Sequence, residues 1–258
     1  MSRLTSQFRK LLSRQSDQDE PEESVKQVVA EQKLILNEAV NEELRAIFIA
    51  IPKTGTTTVR SQIRPVGTPL IPNSHLNILE IRETLFTLTL RRALHQNKAF
   101  PTSNILTTQQ IQRQSQEMFD SYYKFSAVRN PWARAASLYS RRESISASET
   151  MSFEQFCEQH LYASDTCIHP TLHRNQCDWL CDEREECLMD YVYKIEEFDQ
   201  AISEIYEQTN GRIQLENILL NHNPNSKSQA YRTLYNDRTQ RTIAKKFEKD
   251  IDIFKYAF

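Results

Sequence analysis

The sequence predicts a three-layer α/β/α domain with a mainly parallel central sheet, and three observations carry that expectation. A continuous apolar run, Ala46-Ile47-Phe48-Ile49-Ala50-Ile51, is ended by Pro52, which is how a buried parallel strand reads. Two further strand-like stretches follow at 122–128 and 191–195 (YVYKI). The intervals between the three carry helical patterns, and strands separated by helices indicate a parallel α/β sheet.

The elements follow in order. Residues 15–23 (QSDQDEPEE) read as a disordered acidic linker. Before them, MSRLTSQFRKLLSR is weakly amphipathic, either a frayed tail or a short interfacial helix. Val25, Val28, Val29, Leu34, Ile35 and Leu36 give a helical pattern. Residues 1–43 are therefore expected to be a partly disordered extension, and 44–258 the domain proper. A helix should open near residue 56. Leu76, Leu79, Leu85, Leu88 and Leu90 place another within 74–96. Further helices are expected at 107–119 and from Pro131 to about residue 142, where Asn130 can cap and Pro131 can occupy the first helical position. The last are expected at 152–160, 198–207 and 237–249.

Composition narrows the functional classes. The chain of 258 residues is 39% hydrophobic, enough for one packed domain with polar extensions. No apolar run reaches membrane-spanning length and no signal-type segment follows Met1, so no transmembrane segment is expected. Cys157, Cys167, Cys177, Cys181 and Cys187 make an odd set, which predicts reduced thiols in a cytoplasmic setting. None of them has C-x-x-C spacing, and no metal is expected. Charge is segregated. Residues 52–142 hold 13 Lys/Arg against 4 Asp/Glu, a balance of +9, whereas 143–197 hold 3 against 13, a balance of −10. The basic third favours an anionic ligand, and the acidic flanks argue against nucleic acid as a partner.

The basic third contains two motifs. In the first, AIFIAI-PKTGTTTVRS, a loop with one of the chain's three glycines joins a buried strand to a helix N-terminus. Unsatisfied backbone N–H groups and the positive helix end converge there and bind phosphate. Gly55 allows close backbone approach, Thr54, Thr56, Thr57 and Thr58 add hydroxyls, and Lys53 adds a point charge. A strand, a glycine loop and a helix in this order make the expected fold P-loop-type. The lysine precedes the single glycine, so this is not the Walker A spacing of an NTPase. A loop of this composition without chemistry is the plainer alternative. In the second motif, YYKFSAVRNPWARAASLYS, a strand delivers Arg129 at its carboxyl end and a helix carries Ser137. Ligands bind at that end of open α/β sheets, and the Arg129 fork suits a phosphate.

Together the motifs resemble the carbohydrate-type sulfotransferase family (family 2-like, of the Golgi-type and bacterial branch). The resemblance covers roughly residues 46–258 and is poorest between 61 and 105. It extends weakly through HPTLHRNQCDWL, MDYVYKIEEF and the closing YRTLYNDRT and FEKDIDIFKYAF. It implies a sulfonate transfer from 3′-phosphoadenosine 5′-phosphosulfate (PAPS) to a hydroxyl of an acceptor, a carbohydrate in this branch, without a metal. By the resemblance, PKTGTTT (Pro52 to Thr58) clasps the 5′-phosphosulfate, with Lys53 on its bridging oxygen. Arg129 and Ser137 hold the 3′-phosphate. Trp132 and Tyr139 read better as core aromatics, and Arg134 as either structural or ligand-binding. The acidic segment favours an acceptor of low charge.

A base for the acceptor hydroxyl is less plain. Relatives in the family often carry a histidine opening a helix shortly before the second motif. The stretch at the matching distance begins Ile105-Leu106-Thr107, preceded by Asn104, and neither Ile105 nor Asn104 can serve. His75-Leu76-Asn77 keeps the histidine but lies further upstream. His75 is the candidate base. If it is only a core or surface histidine, the protein binds donor without efficient transfer. A divergent nucleotide kinase or NTPase is the remaining alternative.

Overall fold

In a computed structural model the described residues are 33–99, 106–140, 151–160, 174–218 and 230–258. The chain forms one compact unit from Lys33 onward. The acidic linker and the pattern before Leu34 lie outside the described residues.

A four-stranded sheet organises the unit. Strand β2 (Val40–Asn41) pairs antiparallel with β3 (Ala46–Ile49), β3 pairs parallel with β5 (Tyr123–Val128), and β5 pairs parallel with β6 (Tyr191–Lys194). A separate parallel pair joins β1 (Leu34–Ile35) to β4 (Thr68–Pro69). The helical expectation for residues 34–36 is thus corrected. Leu34 and Ile35 align with Thr68 and Pro69, a partner more than thirty positions away that local periodicity cannot reveal. Strands β1 and β2 take residues 34–35 and 40–41, within the stretch 1–43 expected as the extension.

The apolar run is continuous because both of its faces are covered. Ile47, Ile49 and Ile51 enter one core with Ile81, Leu85 and Leu88 of α2 (Ile78–Ala99) and Phe119 of α3 (Thr108–Ser121). Ala46, Phe48 and Ala50 enter the opposite core with Val59 and Ile63 of α1 (Thr56–Ile63) and Phe198, Ala201 and Ile205 of α6 (Phe198–Gln208). That alternation has the period of two that a strand demands, and it confirms the three-layer α/β arrangement. Strand β5 is apolar on one face, through Phe125 and Ala127. Its buried polar residues are satisfied locally: Ser126 Oγ donates to the Ile49 carbonyl at 2.8 Å and Lys124 Nζ to that of Tyr122 at 2.8 Å.

Helix boundaries follow their caps. Thr107 and Gln110 form a reciprocal capping box at α3. Asn130 accepts from the N–H groups of Trp132 and Ala133 to open α4 (Pro131–Tyr139), with Pro131 in its first turn. A short α5 (Phe153–Gln155) runs into a π-turn, Phe156–His160. The single helix expected at 237–249 is two, α7 (Asp237–Lys246) and α8 (Glu248–Phe254). The break falls at Phe247, whose ring is buried in a third core with Trp132, Leu138, Phe156 and Ile243.

Phe48 is fully buried with its ring 5.0 Å from that of Phe125. Phe48→Ala should cost about 3–5 kcal/mol by opening a cavity in a rigid layer. In urea the unfolding midpoint should fall at an unchanged slope.

Candidate functional site

The site forms where β3 and β5 end. After Ile51 the chain turns through Pro52, Lys53, Thr54 and Gly55 into α1, with Lys53 at φ 71° and Gly55 at φ 76°. Left-handed backbone is uncommon for lysine and needs support from its surroundings. Three consecutive carbonyls provide it. The Ile51 carbonyl accepts from Thr54 Oγ1 at 3.0 Å, that of Pro52 from Arg134 Nε at 3.1 Å, and that of Lys53 from an Arg129 Nη1 at 3.2 Å. With its acceptors tied to donors of its own fold, the loop leaves N–H groups as its backbone offering at the start of α1. The first turn of α1 holds no acidic residue, so the positive helix end is unopposed. Gly55 has a second constraint, since a Cβ there would lie 2.8 Å from Ile195 Cδ1.

The threonines divide by role. Thr54 and Thr56 are buried, Thr57 is exposed and Thr58 is half-exposed. The Thr54 hydroxyl donates to Ile51, and the Thr58 hydroxyl to the Ile218 carbonyl at 3.1 Å. Each hydroxyl has one proton to give, so these two are used within the fold. Of the four, the exposed Thr57 is the one turned to solvent at the helix start.

Arg129 follows β5 and lies beside the loop. Its side chain meets Lys53, and its backbone is gripped on both sides by Gln176, whose Oε1 accepts from Arg129 N and whose Nε2 donates to Arg129 O, each at 2.8 Å. Burial lowers the Arg129 pKa, and the neighbouring Glu196 carboxylate offsets this. Glu196 itself accepts from Asn130 N at 2.9 Å and from the Tyr256 hydroxyl at 3.2 Å. Arg134 is structural: it is fully buried, lies 5.8 Å above the Phe247 ring, and also reaches the Arg174 carbonyl at 3.4 Å. Burial pushes it down to about 10, Asp250 opposing and Arg129 adding to the shift. Ser137 is half-exposed on α4, one turn beyond Arg134 and therefore on the same side of the helix. Trp132 and Tyr139 are core aromatics, donating to the Gln240 carbonyl at 3.0 Å and the Met151 carbonyl at 2.8 Å.

His75 lies at the same edge of the sheet. Its Nδ1 is 2.6 Å from the carbonyl of Ala50, two residues before Pro52, and its backbone N–H donates to Asn73 Oδ1 at 2.9 Å. A carbonyl can only accept, so the ring nitrogen Nδ1 carries a proton and donates it to Ala50. Asn104 and Ile105 lie outside the described residues.

Two residues were missed from sequence. Gln176 and Asp250 are both buried completely. Asp250 accepts from Gln176 N at 2.7 Å, Gln176 Nε2 at 3.3 Å and Cys177 N at 3.0 Å. Burial raises the Asp250 pKa, against the pull of those donors and of Arg134. The signal available was a glutamine inside the quoted HPTLHRNQCDWL, with nothing local to mark its partner.

Arg129, Arg134 and the N–H groups at the start of α1 converge at the carboxyl edge of the parallel strands, which makes this edge the candidate site for an anion. Among the described residues no cluster of three or more His, Cys, Asp or Glu could hold a metal, and no helix is long and apolar enough to cross a membrane. The chain belongs to the sulfotransferase family, whose sequence model matches residues 38–257. It is accordingly a transferase of the sulfonyl-transfer class. No curated protein and no solved structure matches it.

Gln176→Ala should leave Arg129 N and O without partners and remove a donor from Asp250. At about 1–3 kcal/mol for each buried group left unsatisfied, stability should fall by roughly 3 kcal/mol or more. Urea titration reads this directly, and a loss below about 1 kcal/mol would refute the bracing role.

Proposed function

We propose that this protein transfers a sulfonate group from PAPS to a hydroxyl of a carbohydrate acceptor of low charge. The observation that carries the reading is the contact of Arg129, at the end of β5, with the Lys53 carbonyl of the glycine loop. It joins the two anion-binding elements into one site. The residues present suit an anionic nucleotide end, because the carbonyls of Ile51, Pro52 and Lys53 are occupied and the helix start bears no carboxylate.

When bound, PAPS supplies an activated sulfonate and a bisphosphate leaving group. The chain's own residues then have distinct tasks. The N–H groups around Gly55, Thr56 and Thr57 and the Thr57 hydroxyl bind the 5′ end. Lys53 holds positive charge at the bridging oxygen, where negative charge grows as the bond to sulfur lengthens. Arg129 and Ser137 hold the 3′-phosphate. His75, its Nδ1–H fixed on Ala50, directs Nε2 toward an acceptor and takes the hydroxyl proton.

Titration calorimetry without metal should show adenosine 3′,5′-bisphosphate binding at least tenfold more tightly than ATP. Arg129→Ala should weaken the bisphosphate by about 10–100-fold, as expected for loss of hydrogen bonds to a charged group, and adenosine 5′-phosphate far less. Preference for ATP, or a magnesium requirement, would overturn the donor assignment in favour of a nucleotide kinase or NTPase.

With labelled PAPS and a panel of neutral sugars, His75→Ala should lower kcat by about 10²–10⁴-fold and leave bisphosphate affinity within about twofold. Lys53→Ala should lower kcat by about 10²–10³-fold. Undiminished turnover in either variant would remove that residue from the chemistry.

A further inference from the structure

Outside the anion site, the acidic turn between the anchor at Gln176 and strand β6 carries two cysteines that the proposed transfer does not use. Cys181 and Cys187 face each other across an isolated antiparallel bridge. Hydrogen bonds lie on either side of the pair, from Asp182 N to Glu186 O and from Leu188 N to Leu180 O, both at 2.9 Å. This is the non-hydrogen-bonded register, in which opposing Cα atoms come to about 4.5 Å and side chains project from the same face. That separation lies inside the range a disulfide spans.

The turn between them is held in shape. Asp182 Oδ1 accepts from the N–H groups of Arg184 and Glu186 at 2.9 Å each, and Lys249 pins Glu185 at 2.9 Å and Asp178 at 3.2 Å. The register is therefore set before any bond forms. Cys187 is exposed, Cys181 half-buried, and both are free thiols near enough to interact. Cys177 and Cys157 are buried, the first beside Asp250 and the second in the third core. Cys167 lies outside the described residues.

We propose that Cys181 and Cys187 form a reversible intramolecular disulfide, a redox-sensitive staple across this turn. The oxidant is a small-molecule disulfide such as oxidised glutathione. The exposed Cys187 thiol loses its proton and attacks one reagent sulfur, the reagent S–S bond breaks, and one glutathione leaves as thiolate. Cys181 then loses its proton and attacks the Cys187 sulfur of the mixed disulfide, forming the new S–S bond and expelling the second glutathione. Two protein thiols are oxidised, one reagent disulfide is reduced to two thiols, and the two protons pass to those leaving thiolates. The order follows from access: the exposed Cys187 meets the reagent first, and the half-buried Cys181, whose thiol burial pushes up to about 11, acts in the second step, where the target sulfur is already adjacent.

The test uses the full chain, reduced and then equilibrated with oxidised glutathione, digested with trypsin without reductant and read by fragment mass spectrometry. Cleavage after Arg184 separates the two cysteines, so the bond appears as linked peptides 175–184 and 185–194 with fragments assigning Cys181. It should be reversed by dithiothreitol and be absent in Cys187→Ser, a change at an exposed position. Oxidation should raise Tm by roughly 2–8 °C in the native chain and leave Cys187→Ser unmoved. Cys181→Ser should hold Cys187 as the mixed glutathione disulfide. A bond from Cys187 to Cys157, Cys167, Cys177 or a second chain, or a native chain that stops at the mixed disulfide, would overturn the proposal.

Discussion

The capture of three successive carbonyls, those of Ile51, Pro52 and Lys53, is the constraint on which the site rests. Those oxygens would otherwise face an incoming anion and repel it. Binding them to Thr54, Arg134 and Arg129 removes that repulsion and holds Lys53 in a left-handed conformation. The same two arginines then bias the local field toward negative ligands. One arrangement thus sets both the shape of the loop and the charge placed around it.

Holding two guanidinium groups in a dry environment is costly, and burial depresses both of them. The fold offsets this with oriented carbonyl oxygens and nearby carboxylates. Arg134 has carbonyls from Pro52 and Arg174 and the field of Asp250, while Arg129 has the Lys53 carbonyl and the field of Glu196. Neutral acceptors leave the Arg129 charge uncancelled, where a tight carboxylate pair would cancel it. Arg134, fully buried, holds the loop through the Pro52 carbonyl.

How much of this was legible in the sequence depends on the range of each interaction. The run Ala46-Ile47-Phe48-Ile49-Ala50-Ile51 announced a two-faced strand because the reason for its composition, burial on both sides, acts residue by residue. Asn130-Pro131 announced a helix start for a similarly local reason. The division of labour among the threonines was not readable, since hydroxyls of identical type differ in what the distant Ile218 carbonyl or the adjacent Ile51 carbonyl demands of them. The strand character of Leu34 and Ile35 was hidden because their partners are Thr68 and Pro69. His75 posed the sharpest conflict, residue type favouring it and chain spacing opposing it. The Ala50 carbonyl resolves its placement by fixing the ring at the end of β3.

The second anion-binding element shows why the remainder could not be read locally. Arg129 is positioned by Gln176, Gln176 by Asp250, and Asn130 by Glu196 and by the Ala257 carbonyl, which accepts from Asn130 Nδ2 at 2.8 Å. Each of these contacts joins segments dozens of residues apart, so the site becomes complete only when α8 and the residues after it have docked. A buried carboxylate at Asp250 is tolerable only in that docked state, where backbone N–H groups satisfy it. Docking of α8 and bracing of Arg129 are therefore coupled: loosening the helix would withdraw the Asp250 carboxylate from Gln176, the residue that holds the Arg129 backbone. The weak sequence likeness at FEKDIDIFKYAF is thereby given a physical basis, since this segment does for Arg129 what the glycine loop's own turn does for Lys53.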